Sequence, residues 1–72
     1  MGEHMTDMKT MGRRLRDLRE EAGKTTSEVS IATGIGESAL RNYECGMRIP
    51  RYKAMFKLAE YYGKTVDYIF FS

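Results

Sequence analysis

Cysteine and proline occur once each in the 72 residues, and each scarcity excludes something. Cys45 alone cannot close an internal disulfide, which fits a reducing compartment better than secretion. No apolar run approaches the roughly 18 residues that a membrane-spanning helix needs, and the opening MGEHMTDMKT lacks the apolar core of a signal peptide. A soluble, cytoplasmic protein is the expectation. β-branched residues never alternate over a strand length, and there is neither an internal repeat nor a low-complexity linker, which leaves one all-α domain. The means for catalysis are missing too: there is no carboxylate pair, no nucleophile beside a base and no phosphate-binding loop, so no enzyme is expected. His4 has no second ligand in sequence reach, and Cys45 has neither a partnering cysteine nor a nearby histidine. No metal, redox group or cofactor is therefore expected.

What is present begins with charge. The formal net charge is +2 and the isoelectric point about 8.8. Seven arginines stand against five lysines. This leans towards an anionic partner, although acidic residues interspersed among the basic ones also describe an ordinary solvated surface. A chain this short buries only roughly 60% of its unfolded surface, so its core has to be used fully.

Residues 1–7 are polar and without period, which predicts a disordered tail followed by one domain over residues 8–72. From Met8 the apolar positions Met8, Met11, Leu15, Leu18 and Ala22 recur in steps of three and four, one stripe on one helix ending at Gly23. Arg13, Arg14, Arg16 and Arg19 spread around that helix, where pairs such as Arg13 with Asp17 and Arg16 with Glu20 are spaced for i,i+4 bonding. Thr25 with Glu28 three residues on forms a capping box for a second helix reaching about Thr33, with Val29 and Ala32 facing inward. Gly34 breaks the chain before a third helix, about Glu37 to Cys45, whose apolar side is Ala39, Leu40 and Tyr43. MRIPR is a basic turn. A fourth helix over residues 51–62 points Tyr52, Met55, Leu58, Ala59 and Tyr62 inward, and Thr65 caps a last short helix carrying Ile69 and Phe70. The expected architecture is a compact five-helix bundle.

Leu15, Leu18-Arg19, Ala22-Gly23, Glu28-Val29, Gly34-Ile35, Leu40, Tyr43-Glu44, Gly46, Arg48, Pro50, Leu58-Ala59, Gly63 and Asp67 follow a spacing over about residues 11–70 that resembles the Cro/repressor-type helix-turn-helix domains, the XRE family. The resemblance implies a lambda-repressor-like bundle in which helices 2 and 3 form the helix-turn-helix, and a sequence-specific DNA-binding transcriptional regulator, a repressor by expectation. Helix 37–45 would then lie in the major groove, about 12 Å wide, with its N-terminal residues at base edges.

On that resemblance Glu37, Ser38, Arg41 and Asn42 are the expected base contacts. Asn42 suits adenine, Arg41 suits guanine or a phosphate, and Glu37 can accept from a cytosine amino group. Glu37 also reads as ordinary dipole compensation, and Asn42 as a plain solvated position. Thr26, with the amides near it, and Arg48 and Arg51 are the expected contacts to the DNA backbone. The family pairs an arginine at the end of the first helix with the glutamate closing the third; here these are Arg19 and Glu44, both read as structural. The sequence departs from the family at Thr26, usually glutamine, at Gly36, usually serine or threonine, and at Cys45, usually asparagine. Lys24 and Lys64 stand at usually apolar positions, their stems able to lie along the core.

The C-terminal YYGKTVDYIFFS is rich in aromatics, and with Tyr62, Ile69 and Phe70 needed inside it leaves Tyr61, Tyr68 and Phe71 as an expected exposed cluster. The expected assembly is a homodimer through this aromatic end on double-stranded DNA, with reader helices about 34 Å apart on a pseudo-palindromic operator. A second reading keeps the scaffold but makes it an antitoxin or protein-interaction adaptor that uses the aromatic surface. Low net charge and Glu37 favour that alternative.

Overall fold

In the computed structural model, residues 5–72 are described, and within them lie α1 (Met8–Glu21), α2 (Thr26–Thr33), α3 (Glu37–Glu44), α4 (Tyr52–Tyr62) and α5 (Val66–Phe70). No strand occurs among the described residues. His4, and the sole ligand reading attached to it, lies outside them.

Three of the five starts are fixed by a side-chain cap. Asp7 accepts from the Thr10 amide at 2.9 Å, and Thr65 accepts from the Tyr68 amide at 3.0 Å. At α2 the capping box closes in both directions: the Thr25 hydroxyl accepts from the Glu28 amide at 3.1 Å, and the Glu28 carboxylate accepts from the Thr25 amide at 2.9 Å. Each cap satisfies amides that no helical carbonyl can reach. α3 differs, because Gly36 has no side chain to offer and no side-chain cap bond is made there. Between α2 and α3 the backbone reverses at Gly34, φ +77°, a left-handed turn that costs glycine little.

The core comprises Met11, Leu15 and Leu18 of α1, Val29 of α2, Leu40 and Tyr43 of α3, Met55, Leu58 and Ala59 of α4, and Ile69 and Phe70 of α5. Gly12 governs how α1 meets α3. A Cβ on it would stand 2.5 Å from the Glu44 carbonyl oxygen and 2.6 Å from that of Tyr43, so only a bare Cα lets the two backbones approach this closely. Isolated glycine inside a helix weakens it by roughly 1 kcal/mol relative to alanine, and this close approach is its packing reason.

Several expectations are corrected. Residues 5–7, assigned to a tail, are tied down: the Thr6 amide donates to the Phe70 carbonyl at 2.8 Å, its hydroxyl to the Ser72 carbonyl at 2.7 Å, and Met5 packs against the core. Ala22 is exposed because it is the C-cap of α1, where the chain turns away. Ala32 is exposed as well, since the two-turn α2 reaches the core through Val29 alone and leaves Ile31 in solvent. Polar bonds hold α2 instead: the Ser30 hydroxyl donates to the Ile35 carbonyl at 2.6 Å, and the Thr33 hydroxyl accepts from the Ile35 amide at 3.2 Å. Helix α3 ends at Glu44 with Cys45 as its C-cap, and α4 starts at Tyr52 with Arg51 as its N-cap.

At the C-terminal end the cluster of Tyr61, Tyr68 and Phe71 does not form as an exposed patch. Tyr61 is half-buried, edge-on to Tyr62 at 5.1 Å between ring centroids, and Phe71 packs on the core. Tyr68 is exposed under the Lys64 ammonium, 5.3 Å from its ring centre. Tyr52, expected inside, is exposed: it lies in the first turn of α4, beyond the buried run of Met55, Leu58 and Ala59. With Ile49, Pro50, Met55 and Phe71 it lines a shallow apolar groove. Arg14 has a role that the sequence did not suggest. Its guanidinium donates to the carbonyls of Tyr68 at 3.0 Å and Ile69 at 3.2 Å, closing the C-terminus of α5. Arg16 pairs with Glu20 at 3.1 Å as its spacing predicts, whereas Arg13 and Asp17 form no ion pair among the described residues.

Candidate functional site

The site is the edge where the N-termini of α2 and α3 come together. α3 is held on its inner side by Leu40 and Tyr43, both buried. At its end the Arg19 guanidinium donates to both Glu44 oxygens, from Nε at 2.8 Å and from Nη2 at 3.0 Å. Arg19 also donates to the Lys24 carbonyl at 2.9 Å, which fixes the link between α1 and α2. The pair is mostly shielded, with side-chain exposures of 17% and 11%. The Glu44 carboxylate holds the Arg19 guanidinium more firmly protonated than usual, as a charge-assisted bidentate bond does. Tyr62 lies in the same region, and burial first, then the Glu44 charge, pushes its phenol up to about 12. Arg19 and Glu44 are thus structural, as the resemblance implied.

The outward side is polar. Ser38 and Arg41 are exposed, Glu37 and Asn42 half-buried. One oxygen of Glu37 joins the two helices: Oε2 accepts from the Thr26 hydroxyl at 2.9 Å and from Arg41 Nη2 at 2.8 Å. The structure therefore groups Thr26, Glu37 and Arg41, three of the residues singled out by sequence. Thr26 uses its hydroxyl proton on Glu37, so what it presents to an approaching anion is the helix N-terminus rather than a free side-chain donor. Arg41 and Arg16 share a cleft with Thr25, Thr26 and Cys45, above the Arg19–Glu44 pair. Arg16 was not among the expected contacts, and its place one turn before Arg19 was the available signal.

Arg48 and Arg51 follow in the turn after α3, both exposed. Arg48 stacks its guanidinium over Tyr43, 5.9 Å from the ring centre. The turn itself is set by Asn42, whose carbonyl accepts the amides of Met47 at 2.8 Å and Arg48 at 3.3 Å. Glu37, Ser38, Arg41, Arg48 and Arg51 thus lie along α3 and the turn that follows it, with Thr26 at the neighbouring helix start. Cys45 is exposed and free. No group of three residues able to hold a metal is found among the described residues, and no described helix is long and apolar enough to cross a membrane.

Comparisons with known proteins bear on the family and the fold. A family model described as a helix-turn-helix domain matches residues 10–67. The chain is 35% identical over 60 residues to the HTH-type transcriptional regulator ImmR of Bacillus subtilis, covering 83% of this chain and 47% of the relative. It is 36% identical over 53 residues to the transcriptional repressor RstR of the cryptic phage CTXphi in Vibrio cholerae, covering 74% and 48%. The chain spans about half the length of these curated relatives. Among solved structures, the restriction-modification controller protein C.AhdI from Aeromonas hydrophila superposes with a TM-score of 0.82 at 25% identity, over 88% of this chain and 96% of that one.

Proposed function

We propose, for a chain that belongs to the helix-turn-helix domain family and has the Cro/repressor-type fold, that it is a sequence-specific DNA-binding transcriptional regulator, acting as a repressor in the cytoplasm. The observation that carries this reading is the exposed edge of α3. Its inner side is locked onto α1, while Ser38, Arg41 and Asn42 on its outer side stand next to the N-terminus of α2, with Arg48 and Arg51 beyond them. A helix so held enters a major groove with base-reading groups along its outward side and phosphate-binding groups on both flanks.

In this reading Arg41 takes guanine and Asn42 takes adenine in the bidentate pairings their geometry favours, and Ser38 adds a hydroxyl at the base edges. Glu37 lies among them, at the helix start. The amides at Thr26, together with Arg48 and Arg51, bind phosphates. That ImmR is a transcriptional regulator and RstR a transcriptional repressor supports regulation of transcription and favours it over the antitoxin or adaptor reading.

The assembly we infer is a homodimer on a pseudo-palindromic site. The exposed Tyr52 and Ile49 beside Phe71 support contact through this end. It lies next to the aromatic C-terminus but centres on α4 rather than on Tyr61 and Tyr68.

Selection of bound sequences from a random DNA pool, followed by titration of the winner at two salt concentrations, tests the reading. The expected result is a two-fold-symmetric consensus whose affinity falls with salt in proportion to the phosphates neutralised. Recovery of no sequence, or equal retention of all of them, refutes it. Sedimentation of the free protein tests the dimer, and Tyr52→Ser is expected to shift it towards monomer.

A further inference from the structure

Glu37 is out of place on a surface meant for DNA, since a carboxylate there repels phosphates. Its two hydrogen bonds explain what it does. We propose that Glu37 is a positioning residue that sets base preference by holding the Arg41 guanidinium at the N-terminal end of α3; this rests on the DNA-binding reading above. The Arg41 side chain is 65% exposed. A free arginine so placed samples many rotamers, and the strongest nearby attraction, a phosphate, would select among them. The bond from Nη2 to Glu37 Oε2 at 2.8 Å, one helical turn back, directs the guanidinium towards the end of α3 that meets base edges. It engages only one of the two terminal nitrogens, leaving N–H groups free for the two acceptors that guanine presents in the major groove.

The carboxylate also acts by repulsion. Any register that brings a phosphate rather than a base edge against Arg41 places that phosphate beside Glu37, which penalises the wrong docking. Thr26 fixes Glu37 in turn: its hydroxyl, donated at 2.9 Å from the start of α2, holds the same oxygen that Arg41 uses. The arrangement ties both helix N-termini to one acceptor. It lowers affinity for DNA of every sequence and raises the ratio between the right sequence and the rest.

The test compares wild type, Glu37→Ala, Arg41→Ala and the double variant on a random DNA pool, then measures affinities for the selected site and a scrambled one. Glu37→Ala is expected to bind scrambled DNA more tightly and to lose at least about fivefold in discrimination. The loss should be confined to the base position in each half-site that Arg41→Ala also flattens, and Glu37→Ala should add nothing to it in the Arg41→Ala background. If Glu37→Ala melts below the assay temperature, Thr26→Val supplies the second measurement, expected to flatten that same position by a smaller factor. Unchanged preference at every position overturns the proposal, as does flattening at a position that Arg41→Ala leaves alone, which would make Glu37 itself the reader. A wild-type protein that selects no sequence overturns the DNA-binding reading and this one with it, so the two failures are distinguishable.

Discussion

The two sides of α3 are built by different means. On the inner side, Leu40 and Tyr43 are buried, the Glu44 carboxylate is held by Nε and Nη2 of Arg19, and the last carbonyls lie against the bare Cα of Gly12. On the outer side, Ser38 and Arg41 are exposed, and Glu37 is held only by the Thr26 hydroxyl and the Arg41 guanidinium. Close-packed backbone and shielded charge leave the inner side one arrangement. Solvated hydrogen bonds of small net value leave the outer side free to change. One helix thus separates the stability of the fold from the choice of target, and substitutions on its two sides should fail in different assays.

The inner side breaks most severely at Gly12. Gly12→Ala places a methyl against two backbone carbonyls that cannot rotate away, and the expected loss is about 3 kcal/mol in urea unfolding. A melting temperature close to wild type would show that α1 and α3 separate easily. Glu44→Ala comes next. It strands a mostly shielded guanidinium, and about 2 kcal/mol is expected, below the roughly 3–5 kcal/mol of fully buried pairs because water still reaches both partners. Thr25→Ala removes the α2 cap at about 1 kcal/mol. On the outer side, Arg41→Ala and Asn42→Ala should change unfolding by no more than about 0.5 kcal/mol while costing about 1–3 kcal/mol of base discrimination each. If the outer substitutions unfold the domain, or if Thr25→Ala alters base preference, the separation fails.

Most of the inner side was legible in the sequence. The 3–4 spacing of Met11, Leu15 and Leu18, the capping box at Thr25 and the turn at Gly34 reflect backbone rules that act locally, and helix ends came within a residue or two. Ala22, Ala32 and Tyr52 failed for one reason: helical period names a face, but a residue at an end of a helix, or on a helix two turns long, meets nothing there. Gly12 was overlooked although a glycine beside an apolar stripe in a long helix asks for a packing reason. The bonds of Arg14 to α5 span 54 and 55 residues, a separation no local pattern encodes. The helix bounds put the outer residues on α3 and at the start of α2, but their mutual bonding was not foreseen. Glu37 and Arg41 have the i,i+4 spacing of a helical ion pair, whereas Thr26 reaches Glu37 only because the turn at Gly34 brings the two helix starts together.

The smallest expected effects come from pH, and they sharpen the comparison because acid and alkali act on different parts. The Thr10 amide bonded to Asp7 and the Thr25 amide bonded to Glu28 hold these carboxyls below their ordinary values of 3.8 and 4.5. A lowered folded-state pKa contributes stability that is complete above the ordinary value and is lost as pH falls through the depressed one. Acid should therefore loosen the starts of α1 and α2, and Glu28→Gln should reduce that acid dependence while keeping a side chain able to accept from the Thr25 amide. Tyr62 has the opposite sign. Burial raises it from 10.0 to about 12, so the unfolded chain ionises first and stability is lost as pH rises between those values. The phenol is only half-buried, and solvent keeps the effect modest. Tyr62→Phe should shrink the alkaline fall in melting temperature, and an equal fall in both proteins would place the alkaline sensitivity elsewhere than beside the Arg19–Glu44 pair.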